Sequence, residues 1–372
     1  MPTPSTRRDF LKTAGSAVAA ASLVPALSAQ EKAADTQGKK FGYAVVGIGA
    51  LTKSDILPAF ATMKHARLTA LVSGDINKAR DTAKKYGVPE SGLYSYDTYD
   101  KIADNPDIDA VYIVLPNGMH EEYTVRAFKA GKHVLVEKPM ANTVKECESM
   151  IAAGKDAKKL LSVAYRLRYE PYTQEMIRMQ RENVLGKTRA ILAEAGFNIG
   201  NPEQWRLNKK LAGGGSMMDI GVYAVNAARY LSGEEPTEIV AFESTDKNDP
   251  RFKEVEDTVT FQMRFPSGVL ASCVSSYGAG FNRWRVHAER GSFELEPALN
   301  RRGLKMRIMG HGQPGSKNFP EVDHFGAMMD DLAVCAATGK AVITDGIDGL
   351  NDMKVIEAVY ESMKTGQPVK IA

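Results

Sequence analysis

Three residues could carry out proton and charge chemistry together. Lys138 stands in Glu137–Lys138–Pro139, directly after the apolar run HVLV at 133–136. Proline ends a strand's hydrogen-bond ladder, so the lysine is presented beyond the sheet instead of within it. A lone lysine at a strand end ordinarily faces solvent; at this sheet edge a part in catalysis is the better reading. Asp219 and Tyr223 lie four residues apart in LAGGGSMMDIGVYAVN (211–226) and so share one helix face. Ser216 and Asp219 also make a capping-box pattern, which is a purely structural use of that carboxylate. A capping box does not require a phenol one turn further on. Gly213, Gly214 and Gly215 let the preceding loop pass close to another group. A phenol has a pKa near 10, and a neighbouring cation can lower it enough for the group to take a hydroxyl proton.

A second set of residues fits a dinucleotide. GIG (47–49) follows an apolar run and precedes a helical stretch, where glycines allow a tight turn and the close approach of a pyrophosphate. Thr52 stands where a third fingerprint glycine belongs. The next apolar run ends in Ser73–Gly74, with Lys78 one helical turn on. A hydroxyl and a cation suit the 2′-phosphate of NADP; Asp75, if it points inward, favours NAD instead. Pro116–Asn117 ends a third run, and Asn117 is read either as a cofactor contact or as the cap of the next helix. His120, just inside that helix, is read as a surface or cap residue in preference to a catalyst. Glu137 and Lys138 complete this cofactor edge.

The elements that must position these residues alternate. YAVVGIG, RLTALVS, AVYIVLP, HVLVEKP and LLSVAY read as strands, separated by helices such as one reaching about Met63, DINKARDTAKKYG, HEEYTVRAFKAG and Thr143–Ala157. Strands alternating with helices predict βαβ units in a doubly wound parallel sheet. After about residue 163 a long helical stretch leads to Glu182. Then TVTFQMRF, VLASCVSSY, RWRVHAE, SFELEP and LKMRIMG alternate with period two, which predicts a large, mostly antiparallel sheet. The tail from about Asp323 to Ser362 is helical again. The expected division is a dinucleotide-binding domain at 41–163 and a substrate and oligomerisation domain at 164–372.

The 372 residues carry 44% hydrophobic and 25% charged residues with a net charge of +3, those of an ordinary globule with too little charge to argue for nucleic acid. Cys147, Cys273 and Cys335 are far apart and read as buried free thiols, and no histidine spacing suits a metal. At the start, Arg7–Arg8 followed by a weak apolar run to Leu27 reads as a twin-arginine export leader cut near residue 29, too short and interrupted to span a membrane. Residues 30–40 are polar and read as an arm.

EKP at the end of a Rossmann strand and D-I-G-x-Y opening a helix (219–223) resemble the glucose–fructose oxidoreductase, inositol dehydrogenase and rhizopine-catabolism (Gfo/Idh/MocA) superfamily. The resemblance runs from about residue 41 to the C-terminus, through ILPAF (56–60), AVYIVLPN (110–117), RAFKAGKHVLVEKPMA (126–141) and QWRLNKKLAGGGSMMDIGVY (204–223). Together with the leader these stretches are nearest the periplasmic glucose–fructose oxidoreductase branch. The resemblance implies that Lys138, Asp219 and Tyr223 surround the reacting carbon. It also implies that Tyr165, Arg166, Tyr169, Trp205, Arg206 and Tyr277 border the substrate or cofactor, although Trp205 and the tyrosines could equally be core or interface aromatics. The function expected is that of a periplasmic, NADP-dependent sugar oxidoreductase, a homodimer or homotetramer moved by the twin-arginine translocase. Its tightly bound, internally recycled cofactor would oxidise an aldose to its lactone and reduce a second sugar to an alditol. Alternatives are an aldose–aldose oxidoreductase, a sugar dehydrogenase using free cofactor, a redox-neutral glycosidase and a non-catalytic sensor.

Overall fold

Six short strands, nearly all of whose residues are buried, make the first sheet: β1 (Phe41–Val46), β2 (Ala66–Val72), β3 (Leu93–Tyr94), β4 (Ala110–Ile113), β5 (His133–Val136) and β6 (Leu161–Val163). The computed structural model describes residues 39–310 and 315–371; the expected leader and nearly all of the expected arm lie outside the described residues. All six strands are parallel, in the order β3-β2-β1-β4-β5-β6. Chain order reverses between β1 and β4, and a ligand crevice opens at the carboxyl ends of strands at such a point.

The connections are helical. A π turn (Thr52–Ile56) runs into α1 (Leu57–Ala59), followed by α2 (Ile76–Tyr86), α3 (His120–Lys129) and α4 (Val144–Ala157). α4 starts where the sequence places it because Thr143 and Glu146 form a reciprocal capping box. The helix expected to reach Met63 ends early, at Ala59.

Beyond β6 the single long helix expected up to Glu182 is instead a 3₁₀ turn (Arg166–Tyr169) and then α5 (Pro171–Arg181). Pro171 has no N–H to donate and suits only a first helical turn, and the Glu170 carboxylate caps that turn through Tyr172 N and Thr173 N. The second sheet then assembles from β7 (Thr188–Gly196), β8 (Glu238–Ser244), β9 (Thr258–Arg264), β10 (Leu270–Ser276), β11 (Phe281–Ala288), β12 (Gly291–Leu295), β13 (Met306–Gly310), β14 (Gly315–Lys317) and β15 (Val369–Lys370). Its order is β14-β13-β12-β11-β7-β10-β9-β8-β15. Every pairing is antiparallel except that of β10 with β7. Past the short helix α6 (Lys209–Ala212), helices α7 (Val222–Ser232) and α9 (Gly346–Thr365) cover one face, burying the alternate residues Val259, Phe261 and Met263 of β9.

One helix of the C-terminal segment does not stay with the second sheet. Helix α8 (His324–Thr338) returns to the first and packs Phe325, Met328, Met329 and Leu332 against Tyr43, Val45 and Leu71. Tyr43 OH donates to Met329 O at 2.8 Å. The Asp330 carboxylate accepts the backbone N–H groups of Lys64, His65 and Ala66, just as the chain enters β2. Replacing Asp330 by alanine strands those donors and is expected to cost about 2 kcal/mol. Urea unfolding should show the lower midpoint, and an unchanged midpoint would mean that α8 is not held there.

Candidate active site

The glycine turn after β1 is built for close approach. Gly47 has φ 93°, and a Cβ there would lie 2.3 Å from Val114 O. At Gly49 a Cβ would meet nothing within 4 Å among the described residues, so this side of the turn opens onto a cavity of about 960 Å³. Thr52, in place of the third glycine, is fully buried and donates its hydroxyl to Gly47 O at 2.6 Å, tying the turn from within. The cavity runs from Gly47 and Gly49 past Ser73, Lys78 and Asn117 to Glu137, Lys138, Trp205, Asp219 and Tyr223. A glycine turn that is open where a Cβ would intrude, a cation and a hydroxyl at the far end, and a continuous trough between them fit a dinucleotide.

At that far end Asp75 is occupied as the cap of α2. Its Oδ1 accepts from Asn77 N and Lys78 N, while Asp75 N donates to Ser73 Oγ. The Asn117 side chain does not cap α3. It is buried and donates through Nδ2 to Ala212 O at 2.8 Å, joining the β4 exit to the glycine-rich loop. His120 is neither a surface residue nor a cap: its ring is wholly buried, with Nε2 2.9 Å from Leu115 O and Nδ1 3.0 Å from Pro139 O. Burial pushes its pKa down, and the neutral ring donates to one of these carbonyls while filling the space between the exits of β4 and β5 behind the cavity wall.

The chemistry converges at the end of β5. Lys138 Nζ lies 3.1 Å from Asp219 Oδ1 and donates as well to Asp219 O. Asp219 Oδ2 accepts from Arg206 Nε and from Tyr277 OH, each at 3.0 Å. The Lys138 and Asp219 side chains are only 12% and 15% exposed. Burial works against both charges; the two cations nonetheless hold the Asp219 pKa down at about 2, and Asp219, Tyr223 and Glu137 together outweigh burial to raise that of Lys138. Tyr223 lies beside this pair, its ring centroid 4.9 Å from Lys138 Nζ and 5.5 Å from Arg166 Cζ.

The capping box expected at Ser216 does not form. Ser216 Oγ pairs with Ser275 Oγ, and Asp219 turns to Lys138 because Glu256 takes over the capping. Its carboxylate accepts from Gly215 N (2.8 Å), Met217 N (3.0 Å) and Tyr360 OH (2.9 Å). The glycines are needed for this closeness: a Cβ would fall 1.9 Å from Tyr360 OH at Gly214 and 2.0 Å from Glu256 O at Gly215. The helix face carrying Asp219 and Tyr223 therefore begins with a π turn, Met217–Gly221.

Of the residues implied by resemblance, Arg166, Trp205 and Arg206 line the cavity, and Tyr277 reaches it through Asp219. Arg166 is buried, meets His324 Nδ1 at 3.2 Å and donates to Leu299 O. Burial and Arg166 push His324 down to about 4, so that it is neutral and accepts this bond. Tyr165 and Tyr169 are not in the cavity wall: Tyr165 is core, and Tyr169 OH donates to Asp331 Oδ2 at 2.9 Å. Phe197, Gln204, Leu299, Arg301 and Phe325 also line the cavity and carry no local motif that would have marked them. Arg301 pairs with Asp55 at 2.8 Å, from the second sheet's loops to the helix after the glycine turn. The three cysteines are buried free thiols, and among the described residues no group of three or more His, Cys, Asp or Glu could hold a metal ion.

Residues 41–165 match the family description "Oxidoreductase family, NAD-binding Rossmann fold", and residues 173–294 match "GFO/IDH/MocA C-terminal domain". The chain is 30% identical over 340 residues to D-xylose 1-dehydrogenase [NADP(+)] of Haloarcula marismortui, spanning 88% of this chain and 92% of that one. It is 28% identical over 334 residues to D-xylose 1-dehydrogenase (NADP(+)) 2 of Haloferax volcanii, spanning 88% and 99%. Among solved structures, aldose-aldose oxidoreductase from Caulobacter crescentus, crystallised with glycerol, superposes with a TM-score of 0.88 at 48% identity, covering 90% of this chain and all of that one. The chain belongs to the Gfo/Idh/MocA oxidoreductase family and is an NAD(P)-dependent oxidoreductase acting on sugars.

Asp219, with its pKa held down, contributes stability that is complete above about pH 4 and is lost as pH falls through about 2. The urea stability gap between the protein and its Asp219→Asn variant should therefore narrow as pH falls from about 4 to about 2. A gap that stayed level across that acid range would show that the carboxylate is not held by its two cations.

Proposed function

We propose that this member of the family is an exported, NADP-dependent sugar oxidoreductase that keeps its cofactor. It would oxidise an aldose to the lactone and pass the hydride to a second sugar in the same pocket, which leaves as an alditol. The observation that carries the reading is the Lys138–Asp219–Arg206–Tyr277 cluster. It stands beside Tyr223 in one cavity with the open glycine turn.

Gly47, Gly49, Ser73 and Lys78 would hold the nucleotide, with Lys78 and the Ser73 hydroxyl toward a 2′-phosphate; Asp75 also lines the cavity, with its Oδ1 engaged as the α2 cap. Bound NADP supplies the acceptor for one sugar's hydride and the donor for the next. Tyr223 takes the proton from the sugar hydroxyl as it becomes a carbonyl, and returns it when a second carbonyl becomes a hydroxyl. Lys138 holds that oxygen and, with Arg166, keeps positive charge against Tyr223. Asp219 fixes the Lys138 ammonium, while Arg206 and Tyr277 fix Asp219. Trp205 offers the apolar face that the ring of a sugar packs on.

Retention and export support each other as proposals. No pool of nicotinamide nucleotide exists outside the cytoplasm, so an exported enzyme must fold around its own, and the twin-arginine leader read at Arg7–Arg8 is the route for folded cargo. The name of the Caulobacter crescentus relative favours an aldose as the acceptor over a ketose. The names of the xylose dehydrogenases favour a second reading, in which the same site draws on free NADP.

Denaturing the purified protein should release NADP in about one equivalent per chain. Adding aldose alone to native protein should then raise 340 nm absorbance by one turnover's worth, which a second aldose reverses. Tyr223→Phe should keep the nucleotide and lose turnover by about 10²-fold or more. Protein that carries no nucleotide and turns over only with added NADP would favour the dehydrogenase reading.

A further inference from the structure

The cavity wall carries a carboxylate that the proton chemistry of Lys138, Asp219 and Tyr223 does not use. Glu137 ends the β5 segment one residue before Lys138, is only 8% exposed, and faces the cavity. Tyr112 of β4 donates its hydroxyl to Oε1 at 2.6 Å, and Lys138 N donates to Oε2 at 3.3 Å. Burial raises the Glu137 pKa, and the Tyr112 hydroxyl and the Lys138 ammonium act against that rise.

The charges around this end of the cavity explain why a carboxylate is kept there. Lys138, Arg166 and Arg206 face two anions, Asp219 and Glu137, while Arg301, which also lines the cavity, is taken up by Asp55. Asp219 is taken up by Lys138 and Arg206, whereas Arg166 bonds to a neutral histidine and a carbonyl, with no carboxylate in ion-pair reach among the described residues. Without Glu137 three cations would face one anion. The ring of a nicotinamide nucleotide is cationic when oxidised and neutral when reduced. A fixed carboxylate in a poorly hydrated wall lowers the free energy of the oxidised form alone, and an excess of cations does the reverse. Tyr112, fully buried behind it, holds the carboxylate in place.

We infer that Glu137 discriminates between oxidised and reduced nucleotide and thereby sets the potential of the bound couple. A carrier that must take hydride from one sugar and give it to another needs such a setting, since a pocket favouring the reduced form would hold the hydride back. The inference rests on the cavity holding a nicotinamide nucleotide and not on that nucleotide being retained.

The test uses the full protein, freed of any nucleotide, titrated separately with NADP⁺ and NADPH, with quenching of tryptophan fluorescence as the signal because Trp205 lines the cavity. Glu137→Gln should weaken NADP⁺ binding about tenfold while changing NADPH binding less than about threefold, a rise of about 30 mV in the potential of a two-electron couple. Equal changes in both affinities in Glu137→Gln would overturn the inference. Should that variant not fold, Glu137→Asp draws the carboxylate back by one methylene. The ratio should then fall by about threefold or more, and an unchanged ratio overturns the inference. Unaltered protein that binds neither nucleotide would overturn the reading of the cavity itself.

Discussion

The ion pair between Lys138 and Asp219 is the contact on which the rest of the site depends. One partner leaves the end of the parallel sheet; the other opens a helix of the second half of the chain, 81 residues later. Two charges this poorly exposed are costly unless each is fully bonded. Arg206, Tyr277 and the Asp219 carbonyl complete the set of bonds, so the two halves must dock in one register for the charges to be satisfied. Tyr223 is placed by the same docking, one helical turn beyond Asp219 and against the Lys138 ammonium. The glycine loop, Glu256 and Tyr360 serve this arrangement: they start the helix without using Asp219, which leaves its carboxylate for the lysine.

What could be read in the sequence follows from how local each signal is. β1, β4 and β5 are buried on both faces, so they appear as continuous apolar runs, and the glycine turn is a contiguous motif. β7, near the middle of the second sheet, went unread. Two of its three buried side chains are alanines, Ala193 and Ala195, which pack beneath Ala224, Ala227 and Ala228 of α7, and an alanine-rich strand lacks the alternation of large residues that marks β9. β3 and β15 are two residues long, below any periodic signal.

The site shows the same division. Lys138, Asp219 and Tyr223 were legible because a strand end and a helix face impose spacing. Their partners were not, since Arg206 and Tyr277 reach Asp219 across 13 and 58 residues and only resemblance pointed to them. Of the residues that resemblance grouped at 165–169, Arg166 reaches the cavity wall, whereas Tyr165 lies in the core and Tyr169 bonds to Asp331. His120 looked like a surface or cap residue because a helix start is usually exposed. Here that start lies beneath the exits of two strands, and the imidazole fills the space between them.

If Lys138 and Asp219 act as one unit, each is worth little to catalysis without the other. The direct measurement is a cycle of Lys138→Met, Asp219→Asn and the double variant, comparing kcat with saturating nucleotide and sugar. The double variant should lose no more than the worse single variant, because either change already dismantles the pair. Losses that multiply across the two positions would show that the residues work independently, and would contradict their acting as one unit.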